Sequence, residues 1–148
     1  MRKIKFKGYS KELKKWMFGD LIHDTEEFFI AKEKTISRFG GGAYNTHSRI
    51  GWDDDNYYDI NIVEKSSIGQ YTGFEDENGI KIYEGDLINY ENNGQYGIVT
   101  FKKGIFGVNY YYNLNTSDCP LFFTFYEIMY HKKQLLVTGN IYENKVIL

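Results

Sequence analysis

The sequence predicts a mainly β protein built from short strands, and three observations carry that expectation. Fourteen tyrosines and eleven phenylalanines stand against a single proline, and aromatic rings pack well on pleated surfaces. Fifteen glycines fit the many turns such a chain needs. Several segments alternate apolar and polar residues with period two, the mark of a half-buried strand. At 148 residues, 42% of them hydrophobic, the chain can bury a core without staples. We read a β-rich N-terminal region over 1–67 and a β domain over 68–148, or the two as one continuous domain.

Ile4, Phe6 and Gly8 alternate with Lys3, Lys5 and Lys7, which describes a first strand with lysines on its wet face. Ser10 to Lys14 connects it to a returning strand through Trp16-Met17-Phe18 and Leu21-Ile22. Phe28 to Ala31 and Thr35 to Phe39 flank Lys32-Glu33-Lys34 and read as a hairpin. Residues 40–55 have glycines, polar groups and little period, so they read as a long loop. Alternation resumes at Tyr57 to Val63, with Tyr58, Ile60 and Ile62 on one side and Asp59 and Asn61 on the other.

From Ile68 onward the turns come quickly. Asn78-Gly79 is a favoured two-residue hairpin turn, and Glu84-Gly85-Asp86 breaks the strand that follows it. Asn92-Asn93-Gly94 and Lys102-Lys103-Gly104 bound strands at Tyr96 to Phe101 and Ile105 to Tyr112. Four turn signals in so short a span are the rhythm of a small meander or barrel. Leu121 to Tyr130 fits a helix or a buried strand, and its phenylalanines favour an extended segment. Leu135 to Thr138 is a last strand, closed by Gly139-Asn140.

Charge and chemistry narrow the function classes. The net charge of −2 sets up no global field for nucleic acid or anionic lipid. A lone cysteine, Cys119, permits no intrachain disulfide and suits a reducing cytoplasm. No apolar run approaches the ~20 residues of a membrane helix, and no apolar stretch follows the basic start as a secretory signal requires. Asp53, Asp55, Asp59 and Glu64 have part of the spacing of a calcium loop, but Tyr58 stands where that loop needs glycine. His23, His47 and His131 lack zinc-ligand spacing, and Gly40-Gly41-Gly42 lacks the lysine and hydroxyl of a phosphate loop. No metal and no cofactor are expected. An enzyme would require distant residues such as His47, Asp53 and Glu127 to meet in a deep cleft, and the expectation is a non-enzyme.

One segment suits nucleic acid. The first fifteen residues carry seven basic side chains against Glu12 alone. Lys3, Lys5 and Lys7 beside Phe6, Tyr9 and Trp16 combine cations with stacking rings, the means by which single strands are held. The alternative use of those lysines is to guard an exposed strand against edge-to-edge pairing.

Three blocks, "RKIKFKGYS" with "KWMF", "GQYTGFEDENGIKIYEGDLINY" with "GIVTF", and "VTGNIYEN", resemble the YopX family of phage and prophage proteins. Tyr71, Gly73, Asn78, Gly79, Tyr83, Gly85, Asp86, Gly139 and Asn140 carry the signature, whereas Gly8-Tyr9-Ser10 and Lys145 depart from it. The resemblance implies an SH3-like barrel over 68–148 and no activity, so no catalytic residue is carried over. Within the signature, Tyr71 is expected as an inter-strand or core ring. Gly85 is expected to supply backbone freedom, and Asp86 to hydrogen-bond the turn backbone. The function that follows is an accessory interaction module in the host-cell cytoplasm, recognising a host or phage protein through barrel loops or an exposed aromatic face. The aromatic excess leaves room for homo-oligomers, and nucleic acid is the alternative partner.

Overall fold

The computed structural model describes residues 4–34, 57–90, 96–111, 121–130 and 135–144. The chain is mainly β and divides into two compact units, residues 1–70 and 71–148.

In the first unit, β1 (Phe6–Ser10), β2 (Lys15–His23), β3 (Phe28–Lys34) and β4 (Tyr57–Val63) form antiparallel neighbours in the order β4-β3-β2-β1. Alternation sends Phe6, Met17, Leu21, Ile30 and Val63 into one small core. Gly8 shares that face because a side chain there would come within 2.8 Å of Val63. The turn from β2 to β3 is held by Asp24, whose carboxylate accepts the Glu26 and Glu27 N–H groups, both at 2.8 Å. Those bonds hold its carboxyl below the usual carboxylate range. After β4, a single 3-10 turn at Lys65–Ser67 brings the Ser67 hydroxyl within 2.7 Å of the Tyr9 N–H, and Glu64 N–H donates to the Tyr9 carbonyl. The chain then enters β5 (Gly69–Glu75), whose first two residues pair with Lys7 and Phe6.

In the second unit, the rest of β5 pairs with β6 (Lys81–Tyr83). A five-stranded sheet follows, made of β7 (Asp86–Tyr90), β8 (Tyr96–Lys102), β9 (Ile105–Tyr110), β10 (Leu121–Thr124) and β11 (Leu135–Asn140). Its order is β10-β9-β8-β7-β11, a meander whose final strand returns beside its first. Ile88, Val99 and Val108 are fully buried on one face and are joined by Ile82, Tyr110 and Leu135. A short helical segment, α1 (Phe125–Tyr130), adds Phe125 and Ile128 to the same core. β10 and β11 end the sheet without pairing, so among the described residues it is not closed into the barrel expected over 68–148.

Three local expectations are corrected. Lys32-Glu33-Lys34 is not a turn: β3 runs through it, with Lys32 opposite Asp59 on β4. The segment has no residue suited to positive φ. Asn78-Gly79 is not a two-residue turn either. Asp76 N–H donates to the Ile80 carbonyl, which leaves the three-residue loop Glu77-Asn78-Gly79, with only Gly79 at positive φ (77°). The two-residue turn lies instead at Lys103-Gly104, where φ is 52° and 86° and Lys102 pairs with Ile105.

The third correction concerns Leu121 to Tyr130, which splits into strand β10 and helix α1. Thr124 and Glu127 form a capping box. The Thr124 hydroxyl accepts the Glu127 N–H at 3.2 Å, while Glu127 accepts the Thr124 N–H at 2.7 Å. This T-x-x-E spacing is visible in the sequence, but phenylalanine enrichment masked it.

Candidate functional site

Two clusters contain the residues singled out above. The first lies on β1 and β2. Phe6 turns into the core, so it does not join the cationic face. Lys7, Tyr9 and Trp16 do come together on the opposite face: Tyr9 and Trp16 are register partners whose rings meet edge-on at 5.6 Å. The Lys7 ammonium sits 4.8 Å from the centre of the Trp16 ring.

That contact changes the character of the segment. Lys7 is only 6% exposed, so it is not on a wet face as its alternation suggests. Period two tells which side a residue takes, but not that a tryptophan from the next strand covers that side. Lys5 pairs with Asp20 at 3.1 Å, and Lys11 pairs with Glu64 at 2.8 Å. Lys3 lies outside the described residues. Two of the seven basic side chains of the segment are thus paired with acids of the first unit, and a third, Lys7, is covered.

Among the described residues, the other acid and histidine candidates meet no common centre. Asp59 stands in β4 and Glu64 accepts Lys11. His23 stacks on Phe28 at 5.7 Å. Residues 40–55, including His47, Asp53 and Asp55, lie outside the described residues, as do Cys119 and His131. Among the described residues, no group of three or more His, Cys, Asp or Glu side chains is placed to hold a metal ion. Glu127 serves as the helix cap described above.

The second cluster is the signature stretch in the second unit, and its centre is a residue the sequence reading passed over. Asp76 is buried. One carboxylate oxygen accepts the Asn78 and Ile80 N–H groups, both at 2.9 Å. The other accepts the Val137 N–H at 3.1 Å, and Glu77 N–H donates to the Leu135 carbonyl at 3.2 Å. The loop thus ties itself together and occupies the outer edge of β11. A D-x-N-G sequence before a strand was the available signal: the first Asp of such a turn accepts local backbone N–H groups.

The remaining signature residues are used in the same way. Buried Asp86 accepts the Tyr83 N–H at 2.8 Å. Gly85 takes φ of 82°, where its N–H reaches the Val99 carbonyl and its own carbonyl receives the Ile141 N–H, both at 2.9 Å. Thr72 donates to the Ile82 carbonyl at 2.8 Å, and Gly73 follows it at φ of 94°. Asn140 accepts the Tyr142 and Glu143 N–H groups at 3.0 and 2.9 Å and donates to the Glu143 carboxylate. A side chain at Gly139 would fall 2.5 Å from the Asn144 amide oxygen, which binds the Asn140 N–H.

Tyr71 and Tyr83 face one another across β5 and β6, ring centres 5.5 Å apart, with Lys81 over the Tyr71 ring. Burial pushes both phenols up, helped at Tyr71 by Glu75 and at Tyr83 by Tyr71 and then Asp86. The unfolded chain therefore ionises first. Stability from this pair is complete below about pH 10 and falls as pH rises through the folded values. Denaturation midpoints followed above about pH 9 are expected to fall less in a Tyr71→Phe/Tyr83→Phe variant. An identical alkaline loss in that variant would refute the assignment.

Around the β8–β9 hairpin the side chains are less committed. The Lys103-Gly104 turn presents Phe101, 52% exposed, and Ile105, 47% exposed, beside Lys102 and Lys103. The Phe101 and Phe106 rings meet at 4.8 Å, and the Lys102 ammonium lies 5.8 Å from the Phe122 ring. The tip holds two apolar groups, Phe101 on one face of the hairpin and Ile105 on the other, and two cations.

A family model described as "YopX protein" matches residues 5–148. Among solved structures, the crystal structure of protein EF1440 from Enterococcus faecalis matches with 20% identity and a TM-score of 0.47, covering 98% of this chain and 97% of that one. No curated protein matches.

Proposed function

We propose that this chain, which belongs to the YopX family, is a non-enzymatic phage or prophage accessory module that binds a host or phage protein in the host-cell cytoplasm. The observation that carries this reading is the division of labour in the second unit. The buried polar residues Asp76, Asp86 and Asn140 are engaged with turn and strand backbone, which makes them scaffold. The β8–β9 tip instead holds Phe101 and Ile105 half in water beside a two-residue turn. Exposed apolar anchors flanked by cations suit a groove with an acidic rim on a folded partner. The strand order supports an SH3-like arrangement for 68–148: a four-stranded meander, a short helix, and a fifth strand back beside the first.

The test is capture of partners from host and phage lysate, by the wild type and by a Phe101→Ser/Ile105→Ser variant. A partner retained by the wild type and lost by a folded variant is the expected result. Equal retention refutes the tip as the contact, and repeated capture of nothing refutes the module.

Nucleic-acid binding is the second reading, favoured by the grouping of Lys7, Tyr9 and Trp16. It requires affinity for single-stranded DNA or RNA that falls steeply with salt. Because Lys7 is buried, the informative variant is Lys3→Glu/Lys5→Glu, which leaves the ring contact in place. Binding that survives this change rules the segment out.

A further inference from the structure

Asn78-Gly79 lies in a loop closed by Asp76 and Ile80, and an asparagine followed by glycine has a chemistry of its own. The glycine nitrogen reaches the asparagine side-chain carbonyl carbon easily, because glycine has no Cβ to hinder the approach. In that reaction the Gly79 nitrogen gives its proton to hydroxide and bonds to Cγ of Asn78. The C–N bond of the side-chain amide breaks, and ammonia leaves. Water then opens the cyclic imide at either carbonyl, giving aspartate or isoaspartate. Asn78 and Gly79 are both exposed, so hydroxide and water reach them.

Asp76 stands against this reaction. Its carbonyl accepts the Gly79 N–H at 3.0 Å, and one carboxylate oxygen accepts the Asn78 and Ile80 N–H groups, both at 2.9 Å. The N–H groups of 78, 79 and 80 thus all end on one residue. The proton that must leave Gly79 is one that closes the loop, so the imide and the closed loop exclude each other. The buried carboxylate also disfavours a negative nitrogen between its two partners. Bonds to Val137 and Leu135 on β11 hold the loop shut from the other side.

We infer that Asn78-Gly79 is a modification site gated by Asp76: it remains an amide while the loop is closed on β11 and converts to aspartate or isoaspartate once the loop opens. Conversion runs one way. Isoaspartate adds a methylene to the main chain between residues 78 and 79, and it places a second carboxylate close to Asp76. The modified loop closes poorly, and its tie to β11 is weakened for good. Residue 78 therefore keeps a record of loop opening. The hairpin tip of the same unit takes no part in this.

Trypsin isolates the site, because peptide 66–81 contains Asn78 as its one asparagine and Asn93-Gly94 falls in another peptide. The full chain and a synthetic 66–81 peptide are incubated at mildly alkaline pH. Conversion at residue 78 is then followed by mass spectrometry, with chromatography to separate isoaspartate. The folded chain is expected to convert at least about tenfold more slowly than the peptide, the factor that ~1.4 kcal/mol of opening free energy produces. In guanidinium chloride the difference should vanish. A folded Asp76→Ala variant should approach the peptide rate. Chain carrying isoaspartate at residue 78 should exchange its Val137 amide faster than unmodified chain. Equal rates for the native wild type and the peptide overturn the inference. So does a folded Asp76→Ala variant that converts no faster than the wild type, or a modified chain whose Val137 exchange is unchanged. The wild-type comparison with and without denaturant stands even if the alanine variant fails to fold.

Discussion

An Asp76→Ala variant is expected to lose about 3–5 kcal/mol of stability, one of the two largest effects anticipated among single substitutions in the second unit. The carboxylate accepts three backbone N–H groups, two from its own loop and one from Val137 on β11. Hydrogen bonds to a charged group are worth about 1.5–3 kcal/mol each, and buried donors left unmade cost a similar amount. The three do not simply add, because the loop relaxes and water reaches part of it. Asp76→Asn keeps one acceptor oxygen and turns an amide towards the remaining N–H, so it is expected to lose less, about 1–3 kcal/mol. Urea denaturation of wild type and both variants measures this. A loss below about 1 kcal/mol for alanine would mean the loop is not what holds the β11 edge. Exchange of the Val137 amide should quicken in the same variant.

Phe125→Ala is expected to cost about 3–5 kcal/mol, the usual range for emptying an aromatic site in a core. Phe125 is 2% exposed and stacks on Phe74 with ring centres 4.8 Å apart and planes 14° from parallel. It also anchors α1, which at six residues cannot persist on propensity alone. Neighbouring Tyr126 projects into solvent, so Tyr126→Ala is expected to stay within about 0.5 kcal/mol. Thr124→Ala, which removes half of the capping box, should fall between them at about 1 kcal/mol. Thermal or urea unfolding of the three variants gives the comparison. Equal losses for Phe125 and Tyr126 would contradict the packing.

The strands legible in the sequence are those whose neighbours repeat the same period. Tyr57 to Val63 appears with the bounds its alternation indicates, and its partner β3 presents matching residues along the whole ladder. The β8–β9 turn was legible from Gly104, which tolerates positive φ, although Lys103 takes it as well. The Asn78-Gly79 expectation missed because the identity of a turn dipeptide does not reveal what precedes it. Asp76 draws the loop one residue wider by accepting two of its N–H groups. Leu121 to Tyr130 missed for a different reason: apolar density without period describes burial, and burial is shared by helix and strand. The cap at Thr124 decides between them locally, and the packing of Phe125 does so globally.

The candidate sites divide in the same manner. Lys7, Tyr9 and Trp16 were readable as a basic aromatic group, yet only the neighbouring strand shows Lys7 to be covered. Asp76 carried a readable turn motif but no sign of its bond to residue 137, because that contact spans 61 positions. By itself, the sequence determined the β class, the family signature and the side of the strand each residue takes, since these depend on composition and period. The tertiary structure decided which polar residues are spent on the scaffold and which lysine is covered. Those outcomes follow from which elements meet, and burial and hydrogen bonding between distant residues leave no local trace in the chain.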